Sequence, residues 1–274
     1  MDEELLRRAA ESIAAADALL IGAGAGMGVD SGLPDFRGDH GFWKAYPPYQ
    51  KLGLNFVSLA NPHWFRADPA LAWGFYGHRM MLYRATAPHE GFQILRRWSQ
   101  RMTHGAFVFT SNVDGHFERA GFDPGRVAEV HGSFAAMQCL NGCGADLFSG
   151  DDVRVAIDDA TMRAEEPLPA CPQCGDLARP NILMFGDWEW NDARTNEQLR
   201  RLEAWLETAC GNLVIVECGA GTAIPTVRNF CENIAREARG TLVRLNVREP
   251  QVPQGQIGLA VGALAGLSAI DERL

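Results

Sequence analysis

The stretch ALLIGAGAGMGVDSGLPDFRG, residues 18–38, starts as an apolar run and breaks into four glycines at alternate positions, Gly22, Gly24, Gly26 and Gly28. A short apolar run that stops at glycine fits a parallel strand covered on both faces. Glycines placed directly after such a strand let the backbone approach a diphosphate, and a following helix would turn its N-terminus toward the anion. The spacing is not the dinucleotide fingerprint of hydride-transfer enzymes. Gly22 and Gly24 would need a third glycine where Met27 stands, and Gly24 with Gly26 one where Val29 stands. Taken alone, the stretch also fits a glycine turn with no ligand. It closes on Asp35, Phe36 and Arg37, an aromatic ring and a charged pair that diphosphate binding by itself does not require.

Similar apolar runs recur at Ala106–Phe109, Leu213–Val216 and Leu242–Leu245. Helical spacing separates them: Leu5, Leu6, Ala9, Ala10 and Ile13 near the N-terminus, then Phe92–Arg101 and Asn196–Ala209. This alternation predicts an α/β fold with a doubly wound, Rossmann-like parallel sheet. Two segments break the rhythm. Residues 39–90, rich in aromatics and proline, read as a helical insertion; residues 135–178 carry four clustered cysteines and no long strand pattern. The expected division is a nucleotide-binding domain of residues 1–38, 91–134 and 179–274, with 39–90 and 135–178 forming a smaller domain.

Composition narrows the class. The chain has 274 residues, 47% hydrophobic, enough to bury a substantial core. A net charge of −9 with no run of Lys or Arg argues against nucleic acid as a partner. No apolar run approaches the roughly 20 residues of a membrane span. The charged N-terminus leads into a helical pattern rather than a signal sequence, and seven cysteines, an odd number, do not suit a disulfide framework. The expectation is a cytoplasmic protein with reduced thiols. Oligomeric state is open, and a monomer is compatible with the sequence.

Cys139 and Cys143 (CLNGC) face Cys171 and Cys174 (CPQCG) across an intervening segment. Two close pairs of thiolates match a zinc ribbon, and an all-sulfur set leaves no open position, so the zinc would be structural. Unliganded core cysteines are the alternative. Cys210, Cys218 and Cys231 lie on or near apolar segments and read as buried small hydrophobes.

Two further motifs follow strands. TSNVDGHFERAG (110–121) offers Asn112 and Asp114 on a polar turn, and VHGS (130–133) sets His131 before a glycine. With GAGMGVDSGLPDFR (24–37), the cysteine quartet, RPNILMFGD (179–187), CGAGTAIP (218–225) and Leu245–Asn246, they form an ordered set spanning nearly the whole chain. That set resembles the sirtuins, NAD-dependent protein-lysine deacylases.

The resemblance implies a reaction and a role for each motif. The carbonyl of an acyl-lysine attacks C1′ of the nicotinamide ribose of NAD as nicotinamide leaves. His131 would be the general base acting through the ribose hydroxyls, a task suited to a pKa near neutrality. Asn112 and Asp114, with Ser111 beside them, would hold the ribose, the nicotinamide amide and local water. Gly24, Ala25, Gly26 and Met27 would approach the cofactor backbone; Asp35, Phe36 and Arg37 would belong to a loop closing over it. Gly219, Ala220 and Gly221 would lie near the diphosphate or ribose, Asn246 at the adenosine ribose, and Gly262 with Ala263 at the adenine. Ile182, Leu183, Phe185 and Gly186 match the segment where a substrate peptide adds as a strand.

Tyr76 and Arg79, in AWGFYGHRMM (72–81), stand three apart on one helix face. Sirtuins that remove succinyl or malonyl groups carry a Tyr-x-x-Arg pair in the corresponding helix, where a guanidinium can meet a carboxylate; aromatic packing of Tyr76 and a solvated Arg79 is the alternative. Three positions depart from the family pattern. Gly28 replaces a serine, Ser111 a glutamine, and Gly219-Ala220-Gly221 the usual Gly-Thr-Ser. The competing functions are NAD hydrolysis or mono-ADP-ribosyl transfer, and a non-catalytic NAD-sensing or zinc-ribbon interaction role.

Overall fold

The computed structural model describes residues 2–34, 42–43, 46–209 and 211–274. Its strands are β1 (Ala18–Ala23), β2 (Ala106–Thr110), β3 (Val127–Glu129), β4 (Gly132–Cys139), β5 (Phe148–Ser149) and β6 (Ile157–Asp158). They continue with β7 (Arg163–Ala164), β8 (Ala178–Ile182), β9 (Leu213–Cys218), β10 (Thr241–Leu245) and β11 (Ile257–Leu259). Six of these form one parallel sheet in the order β3-β2-β1-β9-β10-β11. The chain therefore winds outward from β1 to β3, returns to the centre at β9, and winds outward again. That is the doubly wound order, and its switch point lies between β1 and β9.

All six residues of β1 are buried because both faces of the sheet are covered. Leu19, Ile21 and Ala23 face a layer containing the helices Glu3–Ala14, Glu90–Ser99 and Ala263–Asp271. Ala18 and Leu20, one residue out of phase, face the helices Ala193–Thr208 and Thr226–Glu237. The registers Ala23↔Thr110, Ala23↔Cys218, Thr110↔Glu129 and Leu245↔Cys218 align the strand ends. Gly24, Ser111, Val130, Gly219 and Asn246 thus leave the sheet along one carboxyl edge.

A second core joins the two segments that interrupt the rhythm. Phe42, Tyr46, Tyr49, Phe65, Trp73, Phe75 and Tyr76 pack with Phe134, Met137, Leu140, Ala178 and Ile182. The helix Pro69–Ala85 begins where Asp68 accepts from the Leu71 N–H and Pro69 occupies the first turn. Its apolar residues lie on most of its circumference, so it is buried rather than laid on a surface. Trp73 Nε1 donates to the Ala178 carbonyl at 3.0 Å and Tyr49 Oη to the Met162 carbonyl at 2.8 Å, tying the helices to the cysteine-bearing part. Strand β4 runs from the His131 turn into that part and pairs with β5 and β8 in an antiparallel sheet, so the segment from 135 on opens with strand. Among the described residues no helix is long and apolar enough to cross a membrane.

Candidate active site

At the switch point two glycine turns are in contact. The Gly24 N–H donates to the Cys218 carbonyl at 3.0 Å and the Gly26 N–H to the Gly219 carbonyl at 3.1 Å. A Cβ on Gly24 would stand 2.7 Å from Ala220 Cα, and one on Gly219 would stand 2.4 Å from Gly26 Cα. Gly219 also has φ +64, a left-handed conformation that side chains disfavour. The glycines are needed for backbone crossing. The expected helix after the turn is only Ala25–Val29, so the crossing, rather than a long helix, shapes this edge.

Polar side chains brace the crossing. Asn112 Nδ2 donates to the Gly24 carbonyl at 3.0 Å, and the Ser111 N–H to the Ala23 carbonyl at 3.1 Å. Asn246 is buried; its Nδ2 donates to the Ala220 carbonyl at 2.8 Å while its Oδ1 accepts from the Arg248 and Glu249 N–H groups. Asp114 Oδ1 accepts from the His116 N–H at 2.9 Å. Gly262 caps the helix Ala263–Asp271, where Asp30 Oδ2 accepts from the Leu264 N–H at 2.8 Å. Met27 is buried, Gly26 and Gly221 are half-buried, and Ala25 is exposed. Asp35, Phe36 and Arg37 lie outside the described residues.

His131 sits in the two-residue step from β3 to β4. The Val130 N–H donates to the Thr110 carbonyl at 2.9 Å and the Phe134 N–H to the Val113 carbonyl at 3.3 Å, so His131 lies along the Asn112 turn. Its own carbonyl accepts from the Leu183 N–H at 2.9 Å. Gly132 has φ +78, and a Cβ there would stand 2.0 Å from the Asn181 carbonyl oxygen. Burial lowers the His131 pKa below the ordinary 6.5, keeping the imidazole neutral and able to accept a proton at neutral pH.

The departure at Gly28 has a packing counterpart. A Cβ there would stand 2.9 Å from Leu33 Cδ1 and 3.6 Å from Asp114 Oδ2. Leu33 fills the space beside Asp114 that a larger residue 28 would claim.

Leu183 leaves β8 exposed, whereas Ile182 is buried in the second core. The Phe185 N–H donates to the Ala60 carbonyl at 2.9 Å, and Gly186 turns with φ +69. Beneath this loop Arg179 and Asp187, both buried, share two hydrogen bonds of 2.6 and 2.9 Å. A buried bidentate pair of this kind holds its segment firmly, since freeing either charge leaves the other unpaired.

Tyr76 and Arg79 are both buried. Arg79 donates to Tyr83 Oη through Nη2 at 2.8 Å and Nε at 3.2 Å. Its guanidinium carbon lies 5.2–5.9 Å from the ring centroids of Phe56, Phe75, Tyr76, Tyr83 and Phe134. Ring faces and a phenol offset part of the cost of burying this cation. Tyr83, one turn beyond Arg79, is the partner that the Tyr-x-x-Arg spacing does not reveal.

The four sulfurs of Cys139, Cys143, Cys171 and Cys174 lie within 4.8 Å of one another. The pairs Cys139–Cys174 and Cys143–Cys171 are each 3.7 Å apart, too long for disulfides. A tetrahedron with Zn–S near 2.3 Å has an edge of about 3.8 Å. The quartet has the right size for zinc. Cys218 and Cys231 are buried in the sheet layers, as expected of small hydrophobes, while Cys210 lies outside the described residues.

The chain is similar to known proteins in sequence and in fold. An NAD-dependent protein deacylase of Pyrobaculum aerophilum is 32% identical over 243 residues, 87% of this chain and 83% of that protein. A probable bifunctional ADP-ribose hydrolase/ADP-ribosyltransferase of Fusarium oxysporum f. sp. cubense is 30% identical over 288 residues, 94% of this chain and 47% of that protein. A mutant Sir2 homologue solved with ADP ribose has a TM-score of 0.72 and 28% identity, covering 100% of this chain and 96% of its own. Residues 24–218, which carry the first glycine turn, the Asn112 turn, His131, the cysteine quartet and strand β9, match the Sir2 family, and the chain belongs to it.

Proposed function

We propose that the protein removes acyl groups from lysine side chains of proteins or peptides, consuming NAD and releasing nicotinamide, 2′-O-acyl-ADP-ribose and free lysine. One observation carries the reading most directly: His131, with its pKa lowered by burial, is tied by its neighbours to the turn whose Asn112 braces the glycine crossing. The dinucleotide supplies an electrophilic ribose carbon. The chain's own part is to seat the diphosphate at the crossing, hold a neutral imidazole where a ribose hydroxyl can give up its proton, and present the acyl-lysine from the Leu183–Gly186 side.

In this reading residues 1–38, 91–134 and 179–274 bind the dinucleotide, and 39–90 with 135–178 form the smaller domain. One zinc ion held by Cys139, Cys143, Cys171 and Cys174 stabilises that domain without taking part in the chemistry. We assign the acyl pocket to the Tyr76–Arg79 neighbourhood, where a buried guanidinium favours succinyl or malonyl groups alongside acetyl. The chain works in the cytoplasm on peptide segments.

The test compares acetyl-, succinyl- and butyryl-lysine peptides with NAD against NAD alone. Peptide-dependent nicotinamide release is expected; release that ignores the peptide overturns the deacylase reading. Arg79→Met should weaken succinyl removal more than acetyl removal, and equal losses would refute the acidic pocket. A second reading, ADP-ribosyl transfer or cofactor hydrolysis, is favoured by the Fusarium relative's name. It predicts ADP-ribose, free or protein-linked, in place of the O-acyl product.

A further inference from the structure

The imidazole of a general base is commonly oriented by a third group bonded to its other nitrogen. Among the described residues no side chain hydrogen-bonds the His131 ring, so its placement depends on the backbone that carries it. That backbone is closed by a buried carboxylate. Glu129, two residues before His131, accepts from Ser133 Oγ, two residues after it, at 3.0 Å through Oε1. Its Oε2 accepts from Arg194 Nη2 at 2.5 Å. The main chain of the same residue is held as well. Its N–H donates to Gln198 Oε1 at 3.1 Å and its carbonyl accepts from Thr195 Oγ1 at 3.1 Å. Arg194, Thr195 and Gln198 all come from the helix Ala193–Thr208, which packs on one face of the main sheet. The step carrying His131 is therefore bridged across its own width and pinned to that layer.

We propose that Glu129 is a positioning residue for His131: its carboxylate, bonded to Ser133 and Arg194, holds the Val130–Gly132 step so that the imidazole keeps its place along the Asn112 turn. The inference rests on the assignment of His131 as the base. Burial pushes the Glu129 carboxyl up to about 7 against the pull of Arg194, with Glu118 facing the same guanidinium at 3.8 Å. A buried acid kept this close to neutrality is an expensive way merely to join a strand to a helix.

Glu129→Gln keeps the volume and breaks the ionic bridge; Ser133→Ala removes the hydroxyl that donates to Glu129 and accepts from the Ala135 N–H at 3.3 Å, and is the milder variant. With saturating NAD and acyl peptide, Glu129→Gln is expected to lower kcat about 10- to 100-fold, the scale of an ångström-level misplacement. The KM for NAD should stay within about threefold. Ser133→Ala should lower kcat less, and the double variant should match Glu129→Gln alone because both break one bridge. Unchanged kcat in a folded Glu129→Gln protein, or a loss confined to KM and melting temperature, would overturn the proposal. An independent readout needs no turnover: the His131 ring titration followed by NMR. Its midpoint should move toward the ordinary 6.5 in Glu129→Gln, and an unmoved midpoint counts against positioning. Wild-type protein that transfers no acyl group sinks the deacylase reading; an active wild type with an indifferent Glu129→Gln sinks only the bridge.

Discussion

Replacing Gly219 by alanine tests whether the crossing of two glycine turns builds the cofactor crevice. The new Cβ would lie 2.4 Å from Gly26 Cα and carbonyl carbon and 2.5 Å from the Met27 nitrogen, all backbone atoms with no rotamer to swing away. Non-bonded carbons rest at about 3.5–4.0 Å, so the turns must separate by roughly 1 Å. Crowding of this kind costs about 1–3 kcal/mol. The left-handed φ of +64 adds about 1–2 kcal/mol for a residue with a Cβ. Gly105 provides the control, with the same φ of +64 and nothing within 4 Å of an added Cβ. Gly105→Ala should lose only the conformational part. Urea unfolding of both variants should therefore show Gly219→Ala about 1–3 kcal/mol less stable than Gly105→Ala. Calorimetric titration with NAD should show at least about a tenfold loss of affinity for Gly219→Ala, near 1.4 kcal/mol, and little change for Gly105→Ala. If both alanines destabilise equally and NAD binds both alike, the crossing does not position the cofactor.

His131→Ala should abolish acyl transfer while leaving much of the NAD binding, and in Glu129→Gln, where position 129 no longer titrates, the acid limb of kcat/KM should fall below 6.5. The sign follows from the base being active when neutral: lowering the pH through a depressed pKa protonates it and removes activity. An acid limb above 6.5 in that variant would contradict the role. Asp187→Ala should cost about 3–5 kcal/mol in chemical denaturation and raise the peptide KM, because it strands the Arg179 guanidinium in the interior. A loss under about 1 kcal/mol would show that the pair does not hold the loop. Metal analysis should find one zinc per chain, and Cys143→Ala should lose it with a fall in melting temperature; undiminished zinc content would remove the quartet as its site.

What the sequence made legible follows from periodicity and residue chemistry. The run before Gly22, the recurring apolar runs and the helical stripes forecast the doubly wound sheet because a strand covered on both faces has no polar face to offer. The three-residue strands β3 and β11 stayed hidden, being too short to show a period. The clustering of the four cysteines was readable because each close pair can sit on a tight turn. Tyr83 escaped notice because the partner of a buried guanidinium is chosen by packing among rings, not by a motif.

The sequence by itself determined the class of fold and the family, since these depend on local pattern and on motifs in a fixed order. Only the tertiary structure decided how the motifs meet. Strand register brings Gly24, Ser111, Val130, Gly219 and Asn246 to one edge, although Gly24 and Gly219 are far apart along the chain. Packing alone revealed that Leu33 fills the space beside Gly28 and that Glu129 reaches across His131 to Ser133 and Arg194. Such contacts are set by register and burial between distant segments, and no local pattern encodes them.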